Sequence, residues 1–285
     1  MEWIYLILFI LIIIVFLFFL TKYMKKVPKK IIVFDMDETL GSFVQLGIIS
    51  NSLETELKRN LHPDEINALF TLFPNYLRPG ILSILKYLKT QKQHGVCQGI
   101  YIYTNNQGPK KWALSIKEYF ENKVQYPLFD KVIHAYKTNG VHVEKKRTSH
   151  NKTLKDFMRC TKTKEPFSLC FIDDQYHPYM LKQNVQYIHI REYEYYYKPE
   201  FIIQKLNKSP IFNSISLTML NSYLNSYHEK HIKHELKEKQ TSKQLIYEIQ
   251  RFLKTFGNRH TRVNKHKMHA KTHKQINKKH YKYIY

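Results

Sequence analysis

Four aspartates and one threonine in this sequence fall where apolar runs stop. Asp35 and Asp37 close the run that begins at Ile31, Thr104 follows Gly99–Tyr103, and Asp173 and Asp174 close the run that begins at Ser168. Carboxylates brought to one place can share a hard divalent cation. Mg²⁺ suits such a set because it takes oxygen ligands in an octahedron of few carboxylates, water and substrate. With a cation damping the repulsion, one carboxylate can attack an anionic centre and form a covalent intermediate. A second carboxyl two residues along, Asp37, can serve as general acid and then general base if the backbone turns at the strand end. Each signal alone has a plainer reading: an Asp-x-Asp-x-Thr as helix cap or loop, a threonine as turn residue, an Asp pair as a solvated end. In order, on successive strand ends, they support one another.

The elements that must position these residues are legible as periodicity. Ile31–Asp35 is rich in β-branched residues and reads as a buried strand. Gly99–Tyr103, Lys131–Tyr136, Ser168–Asp173 and Val185–Ile190 read as further strands, the last of them the final one. Helical spacing runs over Asp64–Phe73, Gly80–Lys89, Lys110–Asn122 and Thr153–Cys160, with Pro79 near a first turn. Gly41–Asn60 shows no decisive pattern. Strands alternating with helices imply parallel pairing through right-handed crossovers, hence an α/β three-layer sandwich around a central parallel sheet. Ligands of such sheets bind beyond the carboxyl ends of the strands, the address that Asp35, Thr104 and Asp173 share.

Asp35-Met36-Asp37-Glu38-Thr39-Leu40 resembles motif I (DxDxT) of the haloacid dehalogenase superfamily. Its DxDETL form is similar to the branch of the CTD phosphatases of RNA polymerase II and their small and membrane-bound relatives. Leu77-Arg78-Pro79-Gly80 resembles the RPG that opens a helix in that branch. Ile102-Tyr103-Thr104 resembles motif II and Phe171-Ile172-Asp173-Asp174 motif IV, and Asn184-Val185 is also similar to the branch. The resemblance covers about Lys30–Leu206. It implies a HAD-like phosphatase with a minimal cap, dependent on Mg²⁺. Asp35 is then nucleophile and metal ligand, and Asp37 the acid–base residue whose backbone carbonyl also binds metal. Asp173 and Asp174 complete the metal site, Asp174 being favoured as the direct ligand. Thr104 and Asn105 hold phosphate oxygens. The motif III lysine is Lys152, in Lys152-Thr153-Leu154, with Lys155 the competing choice.

Outside that span, Trp3–Leu20 is an unbroken apolar or aromatic run, as a helix about 27 Å long and close to a bilayer's ~30 Å core. Lys22, Lys25, Lys26, Lys29 and Lys30 crowd its downstream flank, which places the rest of the chain in the cytoplasm by the positive-inside rule. Thr21-Lys22-Tyr23-Met24 is a poor cleavage site for a signal peptide. The expected organisation is a transmembrane anchor over 1–21, a basic linker over 22–30, the phosphatase domain over 31–210, a helical extension over 211–256 and a disordered basic tail over 257–285. In the extension, Leu245, Ile249, Phe252, Leu253 and Phe256 share one helical face. The tail carries five His and no acidic residue. Lys plus Arg outnumber Asp plus Glu by 46 to 23, a formal charge of +23 that favours acidic partners such as anionic lipid, nucleic acid or phosphoprotein. Three cysteines, irregularly spaced, argue against a disulfide framework and suit a reducing compartment.

About 60 residues separate motifs I and II, leaving no room for a large cap. An open site suits a macromolecule, and with the DxDETL resemblance this points to phosphoserine or phosphothreonine in protein. Thr104-Asn105-Asn106-Gln107-Gly108 keeps a second enzyme reading open, since it is similar to the TNQ-G of polynucleotide and sugar-bisphosphate phosphatases. The extra Asn, and Glu38 where those enzymes carry Gly, depart from that pattern. A non-catalytic membrane tether is the reading of a different class.

Overall fold

The computed structural model describes residues 3, 5, 9–14, 27–225, Glu235–Thr255 and Tyr281–Ile284. Strand β1 (Lys29–Phe34) lies inside a parallel sheet, between β2 (Gly99–Tyr103) and β6 (Phe167–Asp173). The sheet extends through β3 (Lys131–Ile133) on one side and β7 (Val185–Ile190) on the other. Strands buried on both faces read as continuous apolar runs, and all seven residues of β6 are buried. Successive side chains still divide by face. Ile32, Phe34, Ile102, Ile172 and Ile188 join one hydrophobic cluster, whereas Ile31, Val33, Tyr103, Phe171 and Tyr187 join another.

The two faces are covered unequally. Helices α1 (Val44–Leu57), α2 (Pro63–Leu72), α3 (Ile81–Gln93) and α4 (Lys110–Val124) pack on the first. On the second lie α5 (Leu154–Thr161) and the short turn at Pro178–Met180. The chain moves one way along the sheet from β1 to β3, then the opposite way to β6 and β7. Right-handed connections must therefore use opposite faces on the two legs, as they do. The α/β class and the central parallel sheet are as expected.

Several details differ from the sequence-based expectation. The undecided stretch after Gly41 contains α1, whose buried face includes Gln45, Ser50 and Ser52, so its apolar periodicity is blurred. Gln45 is tolerated there because Tyr76 Oη donates to its Oε1 at 2.6 Å and its Nε2 donates to Tyr197 O at 3.0 Å. The strand expected over Lys131–Tyr136 stops at Ile133. The chain instead turns into a hairpin of β4 (Lys137–Thr138) and β5 (Val141–His142), with Asn139 and Gly140 both at positive φ as a two-residue turn requires. Val185–Ile190 is not the last strand: Tyr281–Ile284 (β8) pairs with it in parallel, at the end of the stretch expected to be a disordered tail. The rest of that tail lies outside the described residues.

The C-terminal extension is part of the body. Helices α6 (Pro199–Asn207), α7 (Thr218–Asn225) and α8 (Glu235–Thr255) place Ile202, Leu206, Leu220, Leu245, Ile249 and Phe252 in the same cluster as the sheet. Phe256, expected on that helix face, lies outside the described residues. Most of the expected anchor, Trp3–Leu20, does too. Residues 9–14 are helical and exposed, and among the described residues no helix is long and apolar enough to cross a membrane.

Candidate active site

Asp35 is the first residue beyond β1, its N–H donating to Ile172 O at 2.8 Å, and Asp173 is the last residue of β6. Pairing of Phe34 with Ile172 brings the two side chains to the same level. One carboxylate oxygen each from Asp35, Asp173 and Asp174 lies within 4.8 Å of the others. Lys152 is buried among them, its Nζ donating to Asp35 Oδ1 and, at 2.7 Å, to Asp173 Oδ2. The start of α5 fixes Lys152: Thr153 caps the helix by accepting from Asp156 N–H at 3.0 Å, and its own N–H donates to Tyr103 Oη at 3.3 Å. Lys155, one turn on, is exposed. The structure thus brings Lys152 to the carboxylates and leaves Lys155 outside.

Asp173 is fully engaged. Besides Lys152, its Oδ1 accepts from Gln175 N–H at 2.8 Å, and His177 Nε2 stands 3.4 Å from Oδ2. Asp174 is held differently, with Thr39 Oγ1 donating to its Oδ1 at 2.9 Å. Burial pushes Asp35 well above the ordinary carboxylate range, against the pull of Lys152. Burial also raises Asp174, with Asp173 adding to it. Asp173 moves the other way because Lys152 and His177 outweigh its burial. Three carboxylates against one lysine leave the buried cluster with surplus negative charge, costly unless a cation joins it. The donors are all hard oxygens, and Asp35 and Asp174 are less committed than Asp173. The set fits a divalent cation held by Asp35 and Asp174, with Asp173 supporting them through Lys152.

Asp37 reaches the site because the chain turns back at once after β1. Thr39 N–H donates to Asp37 O, Leu40 N–H to Met36 O and Glu38 N–H to Gly41 O, a tight loop in which Glu38 takes φ +54°. Gly41 has no substitute here, since a Cβ would stand 2.3 Å from Tyr76 O. Asp37 Oδ2 accepts from Asn106 Nδ2 at 2.9 Å, while its Oδ1 is buried with no hydrogen-bond partner among the described residues. Burial raises its pKa to about 6 and that of Glu38 to about 8, neighbouring Asp37 and Asp174 adding to the latter. A carboxyl near 6 can carry a proton and release it near neutral pH.

Thr104 lies at the end of β2, its N–H donating to Ile133 O at 3.0 Å and its Oγ1 accepting from Asn106 N–H at 2.9 Å. The side-chain oxygen of Asn105 accepts from Arg147 Nη2 at 2.8 Å, so what Asn105 can offer an anionic ligand is N–H donors, from its side-chain amide or its backbone. Buried Arg147 also donates to Thr104 O and His134 O, and so braces this loop. Arg78 braces the other: its guanidinium donates to the carbonyls of Glu38, Thr39 and Arg191 and pairs with Glu238 Oε2 at 2.8 Å. The sequence named Arg78 only within the RPG that resembles a helix opener and Asn106 only within the Thr104–Gly108 segment, and it held no sign of Arg147, His177 or Glu238. Arg147 sits in a Lys-Lys-Arg run and Glu238 about 160 residues from its partner, so neither carried a local signal.

No family model matches the chain, and no curated protein or solved structure matches it.

Proposed function

We propose that the chain is a Mg²⁺-dependent phosphoric monoester hydrolase acting on phosphoserine or phosphothreonine in protein. The observation that carries this reading is the gathering of Asp35, Asp173, Asp174 and Lys152 at adjacent strand ends, with Asp37 folded back beside them. Bound Mg²⁺ would lower the repulsion between the Asp35 carboxylate and the anionic phosphate. In the first step an Asp35 oxygen attacks phosphorus and the ester P–O bond breaks. Asp37 gives its proton to the departing oxygen, so the products are an aspartyl phosphate and a free hydroxyl. In the second, Asp37 takes a proton from water as that water attacks phosphorus, which restores Asp35 and releases phosphate. Lys152 and the Thr104–Asn105 turn balance and orient the phosphoryl oxygens.

A protein substrate is supported by the DxDETL and RPG segments. It is supported also by packing: α1, α2 and α3 join the main core, and no separate hydrophobic cluster stands over the carboxylates among the described residues. The apolar run Trp3–Leu20 and its lysine flank support a single-pass anchor holding the domain on the cytoplasmic side.

Asp35→Asn tests the mechanism. Hydrolysis of an aryl phosphate with Mg²⁺ should fall at least ~10³-fold, and hydroxylamine-labile labelling of the protein by phosphate ester should vanish. Activity that survives the change rejects the mechanism. A wild-type chain inert toward phosphopeptides, phosphorylated oligonucleotides and sugar phosphates alike would favour the tether.

A further inference from the structure

Beside the carboxylates, a cavity of about 650 Å³ opens between α1, α2 and the start of α4. Phe43, Ile48, Leu61, Ile66 and Trp112 form its apolar walls. Gly47 packs against one side of the Trp112 ring, where an added Cβ would stand 3.5 Å from the indole in ordinary van der Waals contact. None of Asp35, Asp173 and Asp174 lines the space, but Asn106 does, and Asn106 is the residue that holds Asp37. The side of the site on which a leaving group would depart thus adjoins the cavity through one residue.

We propose that this cavity receives an aromatic side chain of the phosphorylated protein, a few residues from its phosphoserine or phosphothreonine. The proposal rests on the phosphatase reading above and names what that site selects. Its volume and mainly apolar lining are those of a pocket that fixes one organic group. Charge decides between classes of substrate. Lys111 is the cationic lining residue, and its ammonium is taken by Glu54 Oε2 at 2.7 Å and by Asn60 Oδ1, so the lining is neutral as a whole. A nucleic-acid backbone needs uncompensated cations; a ring needs an aromatic wall, which Trp112 supplies. Ser52, only 1% exposed, adds a wall hydroxyl with no hydrogen-bond partner among the described residues. A buried hydroxyl of that kind is rare without a partner, and a phenol or peptide group of the occupant would provide one.

The chain has two tryptophans, so in a full-length Trp3→Phe protein in detergent Trp112 is the remaining one. An unphosphorylated Ser peptide carrying Phe or Tyr nearby should shift its fluorescence saturably, with the Ala version binding at least ~10-fold more weakly. Gly47→Leu, or Ser115→Phe on the α4 wall of the same cavity if the first fails to fold, fills the space and should erase that difference. In turnover of the matching phosphopeptides, the preference in kcat/KM for Phe over Ala should fall from about tenfold or more to near unity. Acetyl phosphate turnover should not change. Equal binding of both peptides overturns the proposal, as does a fluorescence response to adenosine with the peptides silent. Ring-dependent binding without hydrolysis of any phosphopeptide would instead defeat the phosphatase reading and leave the pocket.

Discussion

Lys152 shows at the scale of a single residue how the site balances charge. Burial alone would lower its pKa, but Asp173 and Asp35 outweigh burial and the net direction is upward, so the ammonium stays charged. A charged lysine between two carboxylates positions Asp35 and offsets charge on a transferring group. Lys152→Met should therefore cut turnover at least ~10²-fold, whereas Lys155→Met, on an exposed position, should leave kcat within about twofold of wild type. Matching losses in the two variants would remove Lys152 from the site. The resemblance to a K-x-L motif had favoured Lys152, yet in a chain with 46 basic residues spacing alone is weak. Burial and two carboxylate partners separate the two lysines where spacing could not.

At the scale of elements, the loop after β1 is held from outside by α3 and α8. Arg78, just ahead of α3, takes two carbonyls of that loop, Glu38 O and Thr39 O, together with Arg191 O after β7, and Glu238 on α8 neutralises it in a contact almost free of solvent. Removing one partner of such a pair strands a buried charge. Arg78→Met should destabilise the fold by about 3–5 kcal/mol, and Arg78→Met with Glu238→Gln by less than the two single changes added together. Denaturant unfolding of the double-mutant cycle measures this, and strict additivity would deny the coupling. The start of α2 makes a different, pH-dependent contribution. Glu65 accepts from Arg59 and from His62 N–H, and the Arg59 hydrogen bonds hold its pKa down at about 2. A depressed carboxylate stabilises the fold above its ordinary pKa near 4.5 and loses that contribution as pH falls toward 2. Wild type should thus melt above Glu65→Gln at pH 7, the two converging between about pH 4.5 and 2.

Over the whole molecule, the helices after β7 belong to the domain they follow. Leu245, Ile249 and Phe252 are fully buried in the cluster that also holds Ile32 and Phe34 beneath the site. Ile249→Ala should cost about 2–5 kcal/mol in one cooperative transition that also carries the loss of activity. Independent melting of the C-terminal helices would show them to be a separate unit. Their placement means that Glu238, far along the chain, bears on the loop that carries Asp37.

The sequence by itself determined five strands of the parallel sheet, their order along the chain and the carboxylates at their ends, because buried parallel strands are written as short apolar runs and chemistry collects where they stop. The hairpin of β4 and β5 and the added strand β8 were not legible. Asp35, Asp173, Asp174 and Thr104 were legible for that reason. Helix α1 was not, since Gln45, Ser50 and Ser52 interrupt its apolar face and are buried all the same. Only the tertiary structure decided between Lys152 and Lys155, tied Asn106 to Asp37, and set Glu238 against Arg78. Those contacts join residues tens to hundreds of positions apart. A hydrogen bond or ion pair between them depends on how helices dock on the sheet, and local periodicity carries no record of that docking.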